Sequence, residues 1–159
     1  MQIVQRRLMS DDYIHLIPEE LGVVLSADKR EAAVVFFRSI APRPDEISTW
    51  SKETLEFIDC GANFGRITCP ACGRVLEVAH WNEWMNSDLS GTGFVLTRRA
   101  MPCCGTQQTL HDLDYEWPQG FARSGVEAMN PNIGKLSDEQ RTKFESILGC
   151  RVRVVYQHI

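Results

Sequence analysis

The chain has 159 residues, of which 43% are hydrophobic and 24% are charged, and its formal net charge is −4. This composition is typical of a soluble globular protein and excludes a disordered chain, a collagen-like repeat and a coiled coil. A chain of this length buries enough apolar surface to fold without metal or disulfides, so its six cysteines call for another explanation.

The compartment follows from two features of the sequence. Met1–Arg7 runs into Ser10–Asp12 without the apolar core of a signal peptide. The longest apolar run, Ala32–Phe37, is far shorter than the roughly 20 residues that cross a bilayer. We therefore expect a cytoplasmic protein without membrane attachment, in which clustered cysteines bind metal or perform redox chemistry rather than form disulfides.

The amino-terminal part of the chain predicts two strands and a helix. Tyr13–Ile17 alternates like a strand and is closed by Pro18. Ser26 is suited to cap the start of an amphipathic helix, which Pro42 prevents from continuing. Glu53–Asp59 is interpreted as the second strand.

The central part predicts a helix followed by two strands. Leu76–Leu89 is rich in helix-forming residues and places Trp81 and Trp84 on one face. Phe94–Thr97 is interpreted as a strand, and Thr109–Asp114 alternates as on a strand with two distinct faces.

The carboxyl-terminal part predicts a strand, a helix and a closing strand. Phe121–Met129 is compatible with a strand or a helix, and we favour a strand because the turn Asn130–Asn132 closes it. Ser137–Gln140 has the form of a capping box, and Gly149 marks the end of the helix that it begins. Arg151–His158 alternates as a last strand that docks on the sheet.

The order of these elements predicts the fold class. Strands and helices are mixed without a βαβ rhythm, which favours an α+β fold with a mainly antiparallel sheet and two or three helices. The chain shows no internal repeat or low-complexity linker. We therefore predict a single domain over residues 1–159.

Two cysteine motifs carry the strongest chemical signal. Cys69–Gly73 is a CPxCG knuckle, whose spacing can place both sulfurs on one ion while the tight turn directs backbone amides at the thiolates. Pro102–Gly105 is a second Pro-Cys motif of irregular form. When the motifs are aligned on their glycines, Cys104 takes the position of Cys72 and Met101 that of the first cysteine.

The irregular motif leaves two ligand sets open. Either Cys103 and Cys104 both bind the metal, or Cys104 binds it and a histidine or Cys60 completes the set. We favour a structural zinc site with four thiolate ligands within a zinc-ribbon-like subregion of about 66–115, held by hairpins that flank each turn. The ligands of this set are Cys69, Cys72, Cys103 and Cys104, with His111, His80 and Cys60 as reserves.

Other uses of the cysteines are less consistent with the sequence. Cys60 and Cys150 are interpreted as small core residues. A thiol oxidoreductase also presents CPxC, but the paired second motif and the missing early βαβ unit argue against it. A deaminase pairs H-x-E with P-C-x-x-C, and the spacing around His80 does not fit. We therefore predict a protein that is not an enzyme.

The segment after the second motif is a candidate recognition surface. It combines carboxylates with aromatic groups of the kind that dominate interface energies, and a half-buried strand is the alternative interpretation. Its candidate partner-binding residues are Asp112, Asp114, Tyr115 and Trp117.

The same motifs carry a resemblance. The matching residues are Ile67–Gly73, Pro102–Gly105, Leu110–Tyr115, Pro118–Arg123, Asn130–Pro131, Ile147–Gly149 and Val152–Ile159. This pattern resembles a family of uncharacterised bacterial proteins of similar length with no settled activity. The resemblance implies a bacterial, cytosolic source.

Together these observations predict a cytosolic zinc-binding protein whose partner is another protein, with an immunity-like or antitoxin-like role as a concrete version. Small acidic proteins can neutralise or chaperone another protein, an argument by analogy. A nucleic-acid-binding zinc ribbon is the alternative and requires Arg66, Arg74, Arg98 and Arg99 to share one face. The thiol oxidoreductase is the second alternative.

Overall fold

The computed structural model describes residues 10–159, so the expectation for Met1–Arg7 lies outside the described residues. The helices are α1 (Ala27–Ile40), α2 (Val78–Asp88) and α3 (Asp138–Leu148). The strands are β1 (Asp12–Pro18), β2 (Glu46–Ile58), β3 (Ile67–Thr68), β4 (Leu89–Ser90), β5 (Gly93–Phe94), β6 (Arg99–Ala100), β7 (Gln107–Gln108), β8 (Asp114–Tyr115), β9 (Gly120–Met129) and β10 (Val152–His158). Within the described residues, no helix has the length and apolar content that a membrane crossing requires.

A six-stranded sheet organises the fold, with strand order β10-β1-β9-β2-β5-β4. All of its strand pairs are antiparallel. Two short ribbons, β3-β8 and β6-β7, complete the β-structure. The predicted α+β class with a mainly antiparallel sheet is confirmed.

The main core lies between the sheet and the helices α1 and α3. Phe37 of α1 and Phe144 of α3 are fully buried, with their ring centroids 4.8 Å apart. They pack against Leu16 of β1, Val126 of β9 and Val152 of β10, which occupy the same sheet face.

A second core lies at the other end of β9 and supports the cysteine motifs. Phe121, at the start of β9, is buried in one cluster with Trp81 of α2 and Tyr115 of β8. Cys69 and Met101 belong to the same cluster and are 1% and 2% exposed. The first residue of each cysteine turn is thus anchored in the protein interior.

Several predicted elements are confirmed with their boundary signals. Ser26 caps α1 and accepts a hydrogen bond from the Lys29 backbone amide. The capping box of α3 is complete, and Gly149 ends the helix in the left-handed conformation with φ of 70°. The strand predicted at Arg151–His158 forms as β10 and docks on β1.

The strand predicted at Thr109–Asp114 is wrong. Asp112 instead closes a turn, because its carboxylate accepts hydrogen bonds from the backbone amide and hydroxyl of Thr109 at 2.8 and 2.9 Å. This local side-chain bonding competes with a strand. Of the predicted strand, only Asp114 lies in extended structure, as the first residue of the short strand Asp114–Tyr115.

Other boundaries also differ from prediction. β2 starts at Glu46 instead of Glu53, because its first half pairs with β9 before a register shift between Ser51 and Glu56. The strand predicted at Phe94–Thr97 is limited to Gly93–Phe94, and Val95 is 66% exposed.

The cap of α3 generates a stability prediction. Ser137→Ala should lower the free energy of unfolding by about 1 kcal/mol, because the Gln140 backbone amide loses its acceptor. Chemical denaturation measures the change. Ser146→Ala, an exposed serine inside the same helix, is the matched control and should leave stability unchanged or slightly higher. Equal losses in the two variants would contradict the role assigned to the cap.

Candidate metal centre

The first cysteine turn is a compact hydrogen-bonded knuckle. The Cys69 backbone amide donates to the Arg74 carbonyl at 2.8 Å, and the Gly73 amide donates to the Cys69 carbonyl at 2.9 Å. Gly73 has φ of 75°, a left-handed conformation that glycine adopts without strain. The turn thereby places the Cys69 and Cys72 side chains on the same side.

The second turn repeats this backbone pattern. The Met101 amide donates to the Thr106 carbonyl at 2.9 Å, and the Gly105 amide donates to the Met101 carbonyl at 2.8 Å. Gly105 also has φ of 75°. The alignment of the two motifs on their glycines therefore describes two equivalent turns, and Cys103 adds a sulfur at a position where the first turn has Ala71.

The structure brings the four cysteines of the favoured ligand set together. Their sulfurs all lie within 4.8 Å of one another. The Cys69 and Cys104 sulfurs are 3.7 Å apart, and those of Cys72 and Cys103 are 3.3 Å apart. Four thiolates at the usual Zn–S distance form a tetrahedron with edges of about 3.8 Å. The arrangement can therefore hold a metal ion after small side-chain adjustments.

The surroundings of two of the four cysteines favour the ionised form of the thiol. Burial opposes ionisation of Cys69, but hydrogen bonds from the backbone amides of Cys72 and Ala71 lower the pKa of its thiol to about 6. The hydroxyl and backbone of Thr106 lower the pKa of the Cys104 thiol.

Cys103 shows the opposite behaviour. The Cys72 sulfur, followed by burial and the other two sulfurs, raises the pKa of the Cys103 thiol to about 12. Crowding of sulfur atoms thus opposes accumulation of four negative charges. A bound cation would take the place of the protons and neutralise this charge.

Short strand pairs hold the two turns in place. β6 and β7 flank the second turn as a hairpin, as predicted. The first turn is flanked by a shorter antiparallel pairing, in which Thr68 and Val75 form a bridge and the Leu76 amide donates to the Ile67 carbonyl at 2.8 Å. The β3 strand on one side of this turn also pairs with the distant β8.

The reserve ligands lie elsewhere. His111 is buried, and its ring nitrogens are engaged by the Glu19 carbonyl at 2.6 Å and the Phe121 amide at 3.0 Å. His80 packs against Trp84 with ring centroids 5.0 Å apart. Cys60 is buried, and its sulfur lies 3.3 Å from the Gln119 side-chain oxygen. Within residues 10–159, none of the three reserves belongs to the cysteine cluster.

Only part of the candidate recognition surface is exposed. Asp112 and Asp114 are exposed, and Trp117 is half-buried beneath the Lys135 ammonium, which lies 4.8 Å from its ring centroid. Tyr115 is 7% exposed, donates to the Leu110 carbonyl and accepts a hydrogen bond from Trp81. Tyr115 is therefore a core residue, which corrects its assignment as a surface anchor.

Sequence reasoning missed a buried ion pair beside the second turn. Asp88, at the end of α2, is 2% exposed and receives two hydrogen bonds from the Arg99 guanidinium, at 2.7 and 3.0 Å. Arg99 also lies over the Trp84 ring at 5.6 Å. The pair ties α2 to β6, which leads into the second turn. An isolated aspartate at a helix end gave no signal for it.

A second polar cluster was also missed. Arg153 of β10 pairs with the Glu19 carboxylate, with one contact at 2.9 Å, and donates to the His111 and Gln119 carbonyls at 2.9 Å each. Glu19 and Arg153 are 134 positions apart, so only the sheet brings them together.

Comparison of the chain with models of known protein families, with functionally curated proteins and with solved structures finds no match. The function is therefore inferred from the site itself.

The ion pair generates a prediction about the second turn. Asp88→Ala should lower the free energy of unfolding by about 3 kcal/mol, because it leaves the partly buried Arg99 without its partner. Arg99→Ala and the double variant complete a mutant cycle measured by denaturation. Additive losses would contradict a direct interaction between the two side chains.

His111 generates a prediction of pH dependence. Burial, followed by the charge of Arg153, lowers the pKa of His111 below its usual 6.5. The unfolded chain therefore binds a proton that the folded protein excludes, and the free energy of unfolding falls as pH decreases below 6.5. Denaturation at several pH values measures the slope. His111→Gln should flatten it between about pH 6.5 and 5 relative to the wild type, and an unchanged slope would contradict this role.

Proposed function

We propose that the protein is a zinc-binding protein-interaction module with a structural metal site. The observation that carries the metal part is the convergence of four cysteine sulfurs from two turns with the same backbone hydrogen bonds. Two equivalent turns that present sulfurs to one point are the arrangement by which small ribbons hold zinc.

The ligand chemistry favours zinc. Thiolates are soft ligands that select Zn²⁺, Cu(I) or iron–sulfur clusters over Mg²⁺ and Ca²⁺. Four sulfurs within 4.8 Å of one another suit a four-thiolate site of the kind that holds Zn²⁺ or iron–sulfur centres, and we propose Zn²⁺ as its ion.

A structural role follows from the ligand number. Four thiolates close the coordination shell, whereas a catalytic zinc retains a position for water or substrate. Cys69 also packs in the same core cluster as Trp81 and Phe121. The ion would therefore stabilise the second core and the loop between the turns.

The interaction role is supported by surface charge. Four thiolates add four negative charges and one Zn²⁺ adds two positive charges, so the formal net charge would change from −4 to −6. Asp112 and Asp114 lie exposed on the segment beyond the second turn. We propose a protein partner, with neutralisation of a toxic or unstable partner as one version.

The arginines give less support to nucleic-acid binding. Arg99 is committed to Asp88, and Arg98 donates to the Gln107 carbonyl at 3.4 Å. Affinity for a phosphate backbone depends on several free cationic side chains on one face.

Metal analysis tests the site. Elemental analysis of purified protein should give about one zinc per chain. Cys72→Ser should lower zinc content and reduce the free energy of unfolding by roughly 3 kcal/mol, since a ligand at several hundred times its Kd contributes about that much. Cys150→Ser, which changes a cysteine outside the cluster, should retain full zinc content.

Two outcomes would contradict the structural-zinc proposal. One is a metal-free preparation with unchanged stability. The other is a metal-free protein that reduces a disulfide substrate and loses this activity in Cys69→Ser, which would establish the thiol oxidoreductase.

A further inference from the structure

β10 lies at one edge of the six-stranded sheet. Asp11 and Ile159 exchange two backbone hydrogen bonds of 2.9 Å, and the Glu19 amide donates to the Arg151 carbonyl at 2.9 Å. Odd-numbered residues of β10 therefore bond to β1, because hydrogen-bonded pairs alternate along an antiparallel ladder. The backbone groups of the even-numbered residues face away from the sheet.

Both ends of this edge are closed. At the first end, the Val152 amide donates to the Glu145 carboxylate and its carbonyl accepts from Arg141, each at 3.0 Å. At the last end, the His158 carbonyl accepts from the Ala62 amide at 2.8 Å. These contacts protect the edge from unspecific strand pairing.

The middle of the edge is open. The Tyr156 carbonyl accepts from the Asn63 side chain at 3.0 Å. Among the described residues, the Tyr156 amide and both backbone groups of Val154 have no hydrogen-bond partner beyond the edge. The amides of Val154 and Tyr156 and the carbonyl of Val154 are thus available to pair with another strand.

A cavity of about 340 Å³ lies at this opening. Its lining includes Val154 and Tyr156 of β10 and the segment that carries Asp114 and Pro118. Leu136, just before α3, and Asp138, in its first turn, also line the cavity.

The backbone pattern fits an extended peptide. Alternate residues of a strand present an amide and a carbonyl to the same side, about 6.8 Å apart, and such a strand can be added to a sheet edge. The cavity volume lies within the range of ligand sites and accommodates a few residues.

The charges of the cavity fit a basic peptide. Three carboxylates and two guanidinium groups line it, and Glu19 is paired with Arg153 while Arg141 faces the Val152 carbonyl. Asp114 and Asp138 are exposed, and no ion pair of theirs occurs within residues 10–159. They are available to Lys or Arg side chains.

We propose that the β10 edge at Val154–Tyr156 binds an extended, lysine- or arginine-containing segment of a partner protein by strand addition. The proposal rests on the protein-interaction part of the proposed function and identifies its surface. The bound partner would then contact the segment that contains Asp114.

A defined probe tests the proposal: the acetylated and amidated pentapeptide Lys-Val-Lys-Val-Lys, added to zinc-loaded, ¹⁵N-labelled full chain. The Val154 and Tyr156 amides should shift in the NMR spectrum and exchange with solvent several-fold more slowly when the peptide is bound. The Arg153 and Val155 amides, which bond to β1, are the internal control and should stay protected throughout.

Two modified peptides separate backbone from charge. N-methylation of the three central amides preserves charge and should abolish binding, whereas Glu-Val-Glu-Val-Glu should bind at least several-fold more weakly. Asp114→Asn and Asp138→Asn should each weaken the binding of the lysine peptide by roughly three-fold at low salt, and Asp28→Asn in α1 should not.

Three results would overturn the proposal. These are no response of the Val154 and Tyr156 amides at millimolar peptide, undiminished binding of the N-methylated peptide, and protection of these amides by protein concentration alone, which would assign the edge to a second copy. Capture of a partner that requires Asp112 but leaves these amides unprotected would preserve the interaction module and reject only this surface.

Discussion

Four sulfur atoms within 4.8 Å of one another are the constraint on which the rest of this site depends. Two like charges at such distances repel by about 1 kcal/mol in water and by several-fold more near a protein surface. The accumulation of four thiolates is therefore unfavourable unless a cation neutralises them. The raised pKa of Cys103 beside the lowered pKa of Cys69 reflects this competition for charge.

The remainder of the second core positions those sulfurs. Cys69 and Met101 are buried at equivalent points of the two turns and belong to one cluster with Trp81 and Phe121. The Asp88–Arg99 pair connects α2 to the strand before the second turn. The affinity for a metal ion and the stability of this core would consequently be coupled, because the geometry of the four sulfurs exists only in the folded chain.

The sequence predicts an element correctly where residues close together in the chain determine it. The Ser137 capping box, Gly149 and the alternation of β10 are short patterns, and each element forms as predicted. The spacing of the cysteine motifs was sufficient to select the four residues that the structure brings together.

Prediction failed where tertiary contacts or side-chain bonds override local pattern. The alternation of Thr109–Asp114 resembles a strand, but the Asp112 carboxylate closes a turn there. Tyr115 appeared to be a surface aromatic, yet it fills the second core through its bond with Trp81. The open part of the β10 edge is defined only by the contacts of distant segments, such as that of Asn63 with Tyr156.

Zinc K-edge X-ray absorption of the purified protein tests the central claim most directly, because it reports the identity and distance of the ligand atoms. Four sulfur ligands at about 2.3 Å and no nitrogen or oxygen ligand are expected. A zinc shell that contains histidine nitrogen or water, or a protein that carries no zinc, would contradict it.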